Sequence, residues 1–329
     1  MVPSNDAAAL ERIIAGLSAS PAVAEKVAIH RAYAPALEHA GPIRLGDDCA
    51  AIPDGAGHLL LAAEGMLPWF VSEDPWFAGY CAVMVNISDV AAMGGRPLAI
   101  VNVLWTPGAE RSEPIWQGMN AAARAYGVPI VGGHTAAADG TNAYLAAAVM
   151  GRAERLITSF DAMPGDDLLM AVDLRGAYRG EKPFWNCSTS APPGRLRADL
   201  DILPALAASG ACRAGKDISN GGIPGTLAML LECSSVGAEL WLDQLPRPDG
   251  VPLERWLISF PSFGFLLAVS PEKSAEVIDQ FAAREIACAA VGRFTESRSF
   301  VLTLGHARQV FLEWQPGAEA GWRPHTRSP

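Results

Sequence analysis

The apolar residues of this chain recur at spacings that predict alternating helices and strands. Residues 5–37 show helical spacing with a break at Ser20-Pro21, which predicts one or two amphipathic helices. From residue 43, two apolar runs flank Asp54-Gly55-Ala56-Gly57, a pattern typical of a β-hairpin. A helix is then expected to begin at Asp74-Pro75, with Asp74 as its N-cap, and to end at Gly94-Gly95.

The rest of the chain continues this alternation. Strands are predicted at residues 98–105, 128–131, 143–151, 168–172, 264–269 and 287–294, and helices at 112–126 and 271–284. Gly132-Gly133 is expected to break the strand that begins at residue 128. The stretch after residue 175 has no clear period and is predicted to be a loop, and the end from about residue 317 is predicted to be frayed.

This order predicts an α/β fold with two domains. The expected boundaries are a helical lead-in at 1–40, an N-terminal domain at 41–154, a C-terminal domain at 160–310 and a tail at 311–329. A chain of 329 residues is long enough for two cores, and 50% hydrophobic residues with 18% charged residues suit a compact enzyme.

Charge and cysteine usage narrow the functional classes. The net charge is −10, and the chain has no long Lys/Arg cluster, so nucleic acid is not expected as a partner. Neither a basic, apolar leader nor an apolar run of about 20 residues is visible, so no membrane association is expected. The six cysteines form no C-x-x-C pair, which favours a reducing compartment, and we expect a cytoplasmic protein.

Asp89 is the only formally charged residue between Asp74 and Arg96. It lies one helical turn after Asn86, so both side chains project from nearly the same face of the predicted helix. A buried carboxylate needs a partner, because desolvation disfavours its charged form. The partner could be a neighbouring turn, an arginine such as Arg96, or a cation.

Other acidic residues in apolar or glycine-rich surroundings favour the cation. Asp47-Asp48 precede an apolar strand, Glu64 interrupts another, and Asp217 leads a glycine-rich turn. Hard divalent cations are bound through carboxylate oxygens, and Mg²⁺ also contacts phosphates. Two glycine-rich loops could bring backbone N–H groups close to a phosphate, although each could equally be an ordinary turn: Gly132-Gly133-His134-Thr135 and Asn220-Gly221-Gly222.

The familiar nucleotide-binding and hydrolase motifs are missing, including the P-loop, G-x-G-x-x-G and G-x-S-x-G. Instead, the chain contains GDDCAAI, NISDVAAMGGRPL, IVGGHT, PGDDLLM, KDISNGG, FGFLLAVSPE and AAVGRFTE, in that order. In content, order and spacing these motifs resemble the AIR synthase-related superfamily, which includes aminoimidazole ribonucleotide synthase, thiamine-monophosphate kinase, selenophosphate synthetase and the hydrogenase-maturation carbamoyl dehydratase. The motifs are nearest to those of the thiamine-monophosphate kinase-like and AIR synthase-related members.

This resemblance implies a two-domain fold and a homodimer. The N-terminal domain would contribute strands to a barrel shared between two subunits, and the C-terminal domain would be an α/β sandwich. In kinase-like members, carboxylates at the positions of Asp47, Asp48, Asp89 and Asp217 hold Mg²⁺ and the triphosphate. At two positions this chain departs from that pattern: it has Glu64 and His134 where the kinase-like members carry Asp. Imidazole suits softer ions than Mg²⁺, so Mn²⁺ is an alternative metal if His134 is a ligand. The other interpretation of His134 is a hydrogen-bonding turn residue without a metal.

We therefore expect an ATP- and Mg²⁺-dependent enzyme that transfers a phosphoryl group to, or activates, a small molecule. The expected catalytic residues are Asp47, Asp48, Asp89 and Asp217. The expected nucleotide-binding residues are Gly46, Asn86, Gly132, Gly133, Thr135, Gly221 and Gly222. The expected metal ligands are Asp47, Asp48, Glu64, Asp89, His134 and Asp217.

The aperiodic stretch provides the candidate substrate contacts, which are Tyr178, Arg179, Lys182 and Trp185. They offer stacking surfaces and positive charge, although the same stretch could be an ordinary surface loop. Two other functions remain open from the sequence. One is a metal-dependent hydrolase that does not use ATP, and the other is a nucleotide-binding regulatory protein without turnover.

Overall fold

The computed structural model describes residues 5–29, 43–140, 142–192, 194–315 and 321–324. The chain forms two compact units, each built from more than one segment. The large unit contains Met1–Asp47, Ile157–Cys187 and Ser209–Pro329, and the small unit contains Asp48–Leu156 and Ser188–Ala208. The predicted amphipathic helices are confirmed for residues 5–28, whereas residues 30–40 of the predicted lead-in lie outside the described residues.

The small unit is built on a five-stranded sheet with the order β1-β2-β5-β3-β4. Strands β3 and β4 are parallel and the other neighbours are antiparallel. The strands are β1 Ala50–Asp54, β2 Gly57–Gly65, β3 Arg96–Thr106, β4 Ile130–Ala137 and β5 Tyr144–Ala153. The helices numbered α3 to α7 are Pro68–Glu73, Pro75–Ala92, Ala109–Tyr126, Arg195–Leu200 and Ile202–Ser209.

Helix α4, Pro75–Ala92, is the central helix of this unit, and every residue from Phe77 to Ala92 is buried. Its start is confirmed, because the Asp74 carboxylate accepts a hydrogen bond from the Phe77 backbone N–H at 3.2 Å. The helix packs against α5 and against strands β2, β3 and β5. Its apolar character all round fits this burial, since no face of the helix needs to be polar.

The sheet of the small unit has one face covered by helix α4 and one open face. Alternate residues of β2, β3 and β5 point to the open face, as their pairing register shows. Five of them are large apolar side chains between 43% and 50% exposed: Leu61, Val101, Trp105, Tyr144 and Met150. This side of the sheet, with its exposed apolar side chains, is called the open face below.

The expected break in the strand at Gly132-Gly133 is wrong for β4. Gly132-Gly133 does not break the strand, which continues to Ala137 in register with β3. The pairing register shifts by one residue beside Val131, and Gly133 has φ +153°, a conformation that L side chains rarely adopt. Glycine at such an irregularity lets the strand bend and continue.

The large unit is built on an eight-stranded sheet with the order β16-β15-β14-β10-β13-β6-β12-β9, and on a three-stranded sheet with the order β11-β8-β7. The larger sheet contains β6 Asp167–Val172, β9 Ala214–Asp217, β10 Gly237–Trp241, β12 Gly264–Val269, β13 Ala287–Thr295, β14 Ser299–Leu304, β15 Ala307–Gln315 and β16 Gly321–Pro324. The smaller sheet contains β7 Ala177–Tyr178, β8 Phe184–Asn186 and β11 Phe260–Pro261. The helices are α1 Asn5–Ser18, α2 Pro21–Ala28, α8 Gly222–Ser234, α9 Leu253–Leu257 and α10 Pro271–Ala282, with a 3₁₀ turn at Leu242–Gln244.

Two further expectations are wrong in the large unit. The stretch predicted to be a loop contains the short strands β7 and β8, which pair with each other, and β8 also pairs with β11. Within the end predicted to be frayed, residues 321–324 form β16, which pairs with β15, whereas residues 317–320 and 325–329 lie outside the described residues. In both places the strands are too short for a period to show, and partners distant in sequence supply their hydrogen bonds.

The predicted α/β fold class is confirmed, with helices packed on sheets in each unit. Among the described residues, no single helix has both the length and the apolar character needed to cross a bilayer. The bent pair α1 and α2 meets those two requirements only when the helices are taken together.

Candidate functional site

Two carboxylates meet in the small unit. Asp89 projects from the buried helix α4 and is 7% exposed, and Asp48 precedes strand β1. A carboxylate oxygen of Asp48 lies within 4.8 Å of one of Asp89. Two negative charges this close repel each other, so a cation beside the pair would stabilise it. Carboxylate oxygens are the ligands that Mg²⁺ prefers, so the donor chemistry of this pair fits that ion.

Asn86 lies one turn before Asp89 on the same helix and is fully buried. Its side-chain Nδ2 donates to the Ala82 carbonyl at 2.8 Å and to the Ala147 carbonyl of β5 at 3.3 Å. Within the described part of the chain, its Oδ1 has no hydrogen-bond partner. The amide nitrogen therefore fastens α4 to the sheet and helps to fix the helix turn that carries Asp89.

Asp47, although adjacent in sequence to Asp48, belongs to the large unit and is held differently. Its two oxygens accept hydrogen bonds from the Ser159 backbone N–H at 3.1 and 3.0 Å, and one of them also accepts from Ser159 Oγ at 2.7 Å. The Lys216 ammonium donates to Ser159 Oγ at 3.5 Å, and both Ser159 and Lys216 are buried. These bonds give Asp47 an anchoring role in the large unit. Ser159 and Lys216 were not singled out from the sequence.

Asp217 is the last residue of β9 in the large unit and is 4% exposed. The glycines that follow it have a packing role. Gly221 has φ +89° and lies against the Ala22 carbonyl of α2, and a Cβ on Gly222 would collide with the Leu257 carbonyl. Gly46, which also belongs to the large unit, accepts a hydrogen bond from Cys233 Sγ at its carbonyl, at 3.3 Å. The tight packing of Gly221 and Gly222 accounts for glycine at both positions without a ligand.

Three of the residues expected to bind nucleotide line one cavity in the small unit, between helix α5 and strands β3 and β4. They are Gly132, Gly133 and Thr135, and the cavity has a volume of about 370 Å³. The remaining lining residues, which the sequence analysis missed, are Asn102, Trp116, Asn120 and Ile130. A signal for Asn102 was present in the sequence, since it is the only polar residue in the apolar run from Leu98 to Trp105.

His134 and Glu64 do not join the Asp48–Asp89 pair. His134 pairs in register with Val103, and its ring lies 6.4 Å from that of Trp105, which places it on the open face of the sheet. Helix α4 with Asp89 covers the opposite face, so the small unit does not bring this imidazole to the pair. Glu64 is exposed on β2, directly across from Ala147.

The four residues expected to contact the substrate differ in how far they are buried. Trp185 is 5% exposed, its Nε1–H donates to the Asp173 carbonyl at 3.0 Å, and its ring meets those of Tyr178 and Trp256 edge-on. The Tyr178 hydroxyl lies 2.7 Å from Ser259 Oγ, and burial raises the pKa of this phenol. The Trp185 ring therefore packs inside the large unit and presents little surface on which a substrate could stack. Arg179 and Lys182 are exposed.

Models of two protein families match this chain. The description "AIR synthase related protein, N-terminal domain" matches residues 46–153, and "AIR synthase related protein, C-terminal domain" matches residues 189–305. An uncharacterized protein of Synechocystis sp. (strain ATCC 27184 / PCC 6803 / Kazusa) is 47% identical over 85% of this chain and 87% of the relative. The thiamine-monophosphate kinase of Pyrococcus abyssi (strain GE5 / Orsay) is 30% identical over 73% of this chain and 82% of the relative.

Solved structures share the fold. AaThiL complexed with AMPPCP and TMP superimposes with a TM-score of 0.67 at 19% identity, over 86% of this chain and 95% of that chain. T. maritima PurL complexed with ATP superimposes with a TM-score of 0.68 at 21% identity, over 79% of this chain. The matched region spans only 44% of that PurL chain. At these identities the likeness concerns the fold.

Proposed function

This chain belongs to the AIR synthase related protein family, and from this premise we propose that it is an ATP- and Mg²⁺-dependent enzyme that phosphorylates or activates a small molecule. The observation that carries the proposal is the Asp48–Asp89 pair, with carboxylate oxygens within 4.8 Å of each other beside a buried helix. A hard divalent cation suits this donor set, and it would also let a polyanionic nucleotide bind to a chain with a net charge of −10.

The protein's own contribution is to hold these carboxylates in place. Asp89 cannot move far, because its helix is buried and Asn86 ties the neighbouring turn to β5 at the Ala147 carbonyl. When bound, Mg²⁺ would neutralise charge on the transferring phosphoryl group. Positioning and charge neutralisation account for most of phosphoryl-transfer catalysis, so rigid carboxylates are the feature that this chemistry needs.

Asp47 and Asp217 are kept in the proposed set because of their motifs. Asp47 belongs to GDDCAAI and Asp217 to KDISNGG, two of the motifs by which the chain resembles the kinase-like members. Asp47 already accepts three hydrogen bonds from Ser159, so a fixed orientation is the role that we propose for it. Asp217 is proposed as a further metal ligand.

The cavity formed by α5, β3 and β4 supports the nucleotide part of the proposal. Its volume of about 370 Å³ lies at the lower end of the range for small-molecule sites. Gly132 and Gly133 bring backbone to its wall without side chains, and Thr135 adds a hydroxyl. AaThiL was solved with AMPPCP, a nucleotide analogue, which supports nucleotide binding by this fold.

We also propose that the chain forms a homodimer through the small unit. The open face presents Leu61, Val101, Trp105, Tyr144 and Met150 to solvent, and contiguous exposed apolar surface of this kind marks interaction sites. The neighbouring strand β4 is at the edge of the sheet and is largely exposed. Strands of a second copy would cover both features and form the barrel that the family resemblance implies.

Isothermal titration of the full chain with ATP, in Mg²⁺ and in excess EDTA, tests the proposal. We expect MgATP to bind with a Kd below about 1 mM and chelation to abolish binding. Asp89→Asn should weaken MgATP binding by at least about 10-fold at unchanged Tm, because it removes one charged ligand. The matched control is Asp54→Asn, which removes a half-exposed carboxylate paired with Arg152 on the surface and should leave affinity unchanged.

ADP release with a panel of phosphate-bearing and amide-bearing acceptors distinguishes the alternative functions. An enzyme of the proposed class releases ADP with at least one acceptor and loses this activity in Asp89→Asn. MgATP binding without ADP release from any acceptor would favour a regulatory protein. Metal-dependent ester or amide hydrolysis without ATP binding would favour a hydrolase, and either result would overturn the proposal.

A further inference from the structure

Asn102 is a buried polar residue whose hydrogen-bonding groups are unsatisfied. It lies in the middle of β3 and is 1% exposed, between the open-face residues Val101 and Val103. Neither its Nδ2 nor its Oδ1 has a hydrogen-bond partner among the residues that the structure describes. Leaving both ends of a buried amide unsatisfied costs free energy, so such a group calls for an explanation, and a bound ligand is one.

Asn102 is one of the residues that line the cavity between α5, β3 and β4. The walls are formed by Trp116 and Asn120 from α5 and by Ile130 and Thr135 from β4. The cavity is thus lined by one indole ring, one aliphatic side chain and three polar side chains. Walls that combine apolar surface with a few convergent polar groups are typical of small-molecule sites.

Gly133 makes room for this amide. It pairs directly with Asn102 across the two strands. A Cβ at position 133 would collide with both the carbonyl oxygen and the side-chain Oδ1 of Asn102. Any other residue would therefore displace the Asn102 side chain from its position beside the cavity, and the two residues function together.

A primary amide presents a donor and an acceptor side by side in one plane. Its complement is a planar group that has an acceptor beside a donor, such as the edge of a nucleobase or a carboxamide. We propose that Asn102 is a specificity residue that binds such an edge of a ligand in this cavity. If the planar group is a nucleobase, this inference rests on the proposed use of ATP. If it is a carboxamide of the acceptor substrate, the inference does not depend on ATP.

The cavity is close to the proposed metal site within the small unit. Gly133, Asn102 and Ala147 are consecutive register partners across β4, β3 and β5. Asn86 donates to the Ala147 carbonyl, and Asp89 follows one turn later. With strands about 5 Å apart and a helical turn of about 5 Å, Asn102 lies on the order of 10 Å from Asp89. A triphosphate chain can span such a gap.

The experiment measures ligand binding by the full-length protein, in Mg²⁺, for wild type, Asn102→Leu and Asn102→Asp. Leucine has the same branching of heavy atoms but is larger and apolar, and aspartate keeps the shape but loses the donor. The matched control is Asn142→Asp, which makes the same chemical change at an exposed position of the small unit. The three probes are ATP, purine riboside 5′-triphosphate, which lacks the 6-amino donor of adenine, and nicotinamide, a planar carboxamide.

If Asn102 binds the base, wild type should prefer ATP over the purine riboside triphosphate by at least about 10-fold, and Asn102→Leu should lose this preference. If it binds the acceptor, wild type should bind nicotinamide, and both Asn102 variants should lose at least about 10-fold in affinity while their ATP affinity is unchanged. Asn142→Asp should behave as wild type in both cases.

The inference is overturned if both Asn102 variants bind all three probes as wild type does, or if wild type binds none of them. Wild type that fails to bind MgATP but binds nicotinamide through Asn102 would contradict the proposed function and leave this inference intact. The opposite case is a wild-type protein that binds MgATP but not nicotinamide, with both Asn102 variants keeping its ATP affinity and its base preference. That result would contradict this inference and leave the proposed function intact.

Discussion

Two adjacent residues, Asp47 and Asp48, have identical side chains and different surroundings. Asp47 accepts hydrogen bonds from the backbone and hydroxyl of Ser159, whereas an oxygen of Asp48 lies within 4.8 Å of one of Asp89. In an extended segment successive side chains point to opposite sides, so one carboxylate of such a pair can anchor while the other serves a site. Both residues were expected to be metal ligands, and only the tertiary contacts distinguish their surroundings.

Glu232 on helix α8 is expected to make the free energy of unfolding depend on pH. Partial burial raises the pKa of this carboxyl from 4.5 to about 7. The folded state then binds the proton more tightly than the unfolded state, so the residue's contribution to stability falls as pH rises from 4.5 to 7 and is constant above. Glu232→Gln should therefore be neutral near pH 4 and stabilising at pH 8, by about 1 kcal/mol after discounting for solvent screening.

Urea unfolding of both proteins at pH 4, 6 and 8 measures this difference. The exposed Glu296→Gln serves as the control and should show no such pH-dependent gain. Equal unfolding free energies of wild type and Glu232→Gln at pH 8 would mean that the carboxyl is ionised in the folded state without cost.

At the scale of elements, the contact between α4 and α5 depends on two glycines. A Cβ on Gly79 would collide with the Ile115 carbonyl, and a Cβ on Gly118 would collide with the Trp76 carbonyl. The two helix backbones therefore approach more closely than larger residues allow. This approach positions both the helix that carries Asp89 and the helix that carries Trp116 and Asn120, so it supports the metal pair and the cavity together.

Gly118→Ala should destabilise the protein by about 2–3 kcal/mol, because the added methyl group has to displace backbone atoms. Gly16→Ala is the matched control on helix α1, where a Cβ would meet nothing within 4 Å. It should be neutral or stabilising by up to about 1 kcal/mol, since alanine favours helix over glycine. Chemical denaturation midpoints give both values, and a Gly118→Ala variant as stable as Gly16→Ala would contradict the close approach.

At the scale of the whole molecule, the open face governs association. Met150 lies on β5, the middle of the three strands that form the open face, and its register partner on β2 is Leu61. In a symmetric dimer each copy contributes the same face, so Met150→Lys introduces two buried charges for one substitution. We expect the dimer dissociation constant to rise by at least about 100-fold, measured by light scattering on a size-exclusion column over a dilution series.

Met163→Lys is the control for that substitution, because Met163 is 52% exposed in the large unit and lies outside the open face. It should leave the mass in solution unchanged. A wild-type chain that is monomeric at every concentration tested, or a Met150→Lys variant that remains dimeric, would exclude the open face as the dimer interface.

Local sequence patterns were sufficient to predict the features that depend on nearby residues. The Asp74 cap, the apolar helix around Asp89 and the strands at 98–105 and 264–269 follow from propensity, capping and period within short windows. The ordered motifs also identified the family, which the family models and the relatives confirm. Asp89 could be selected as a candidate site residue because a lone charge in an apolar helix is costly wherever that helix packs.

Which side chains come into contact depends on how the distant segments of the chain pair and pack. The register of β3 with β4 placed His134 on the open face and Gly133 beside Asn102, and the pairing of β8 with β11 placed Trp185 inside the large unit. These outcomes depend on hydrogen bonds between segments distant in the sequence, and a shift of one residue in register would move each side chain to the opposite face. Local sequence patterns contain no information about that register, so they identified the chemical groups but not their arrangement.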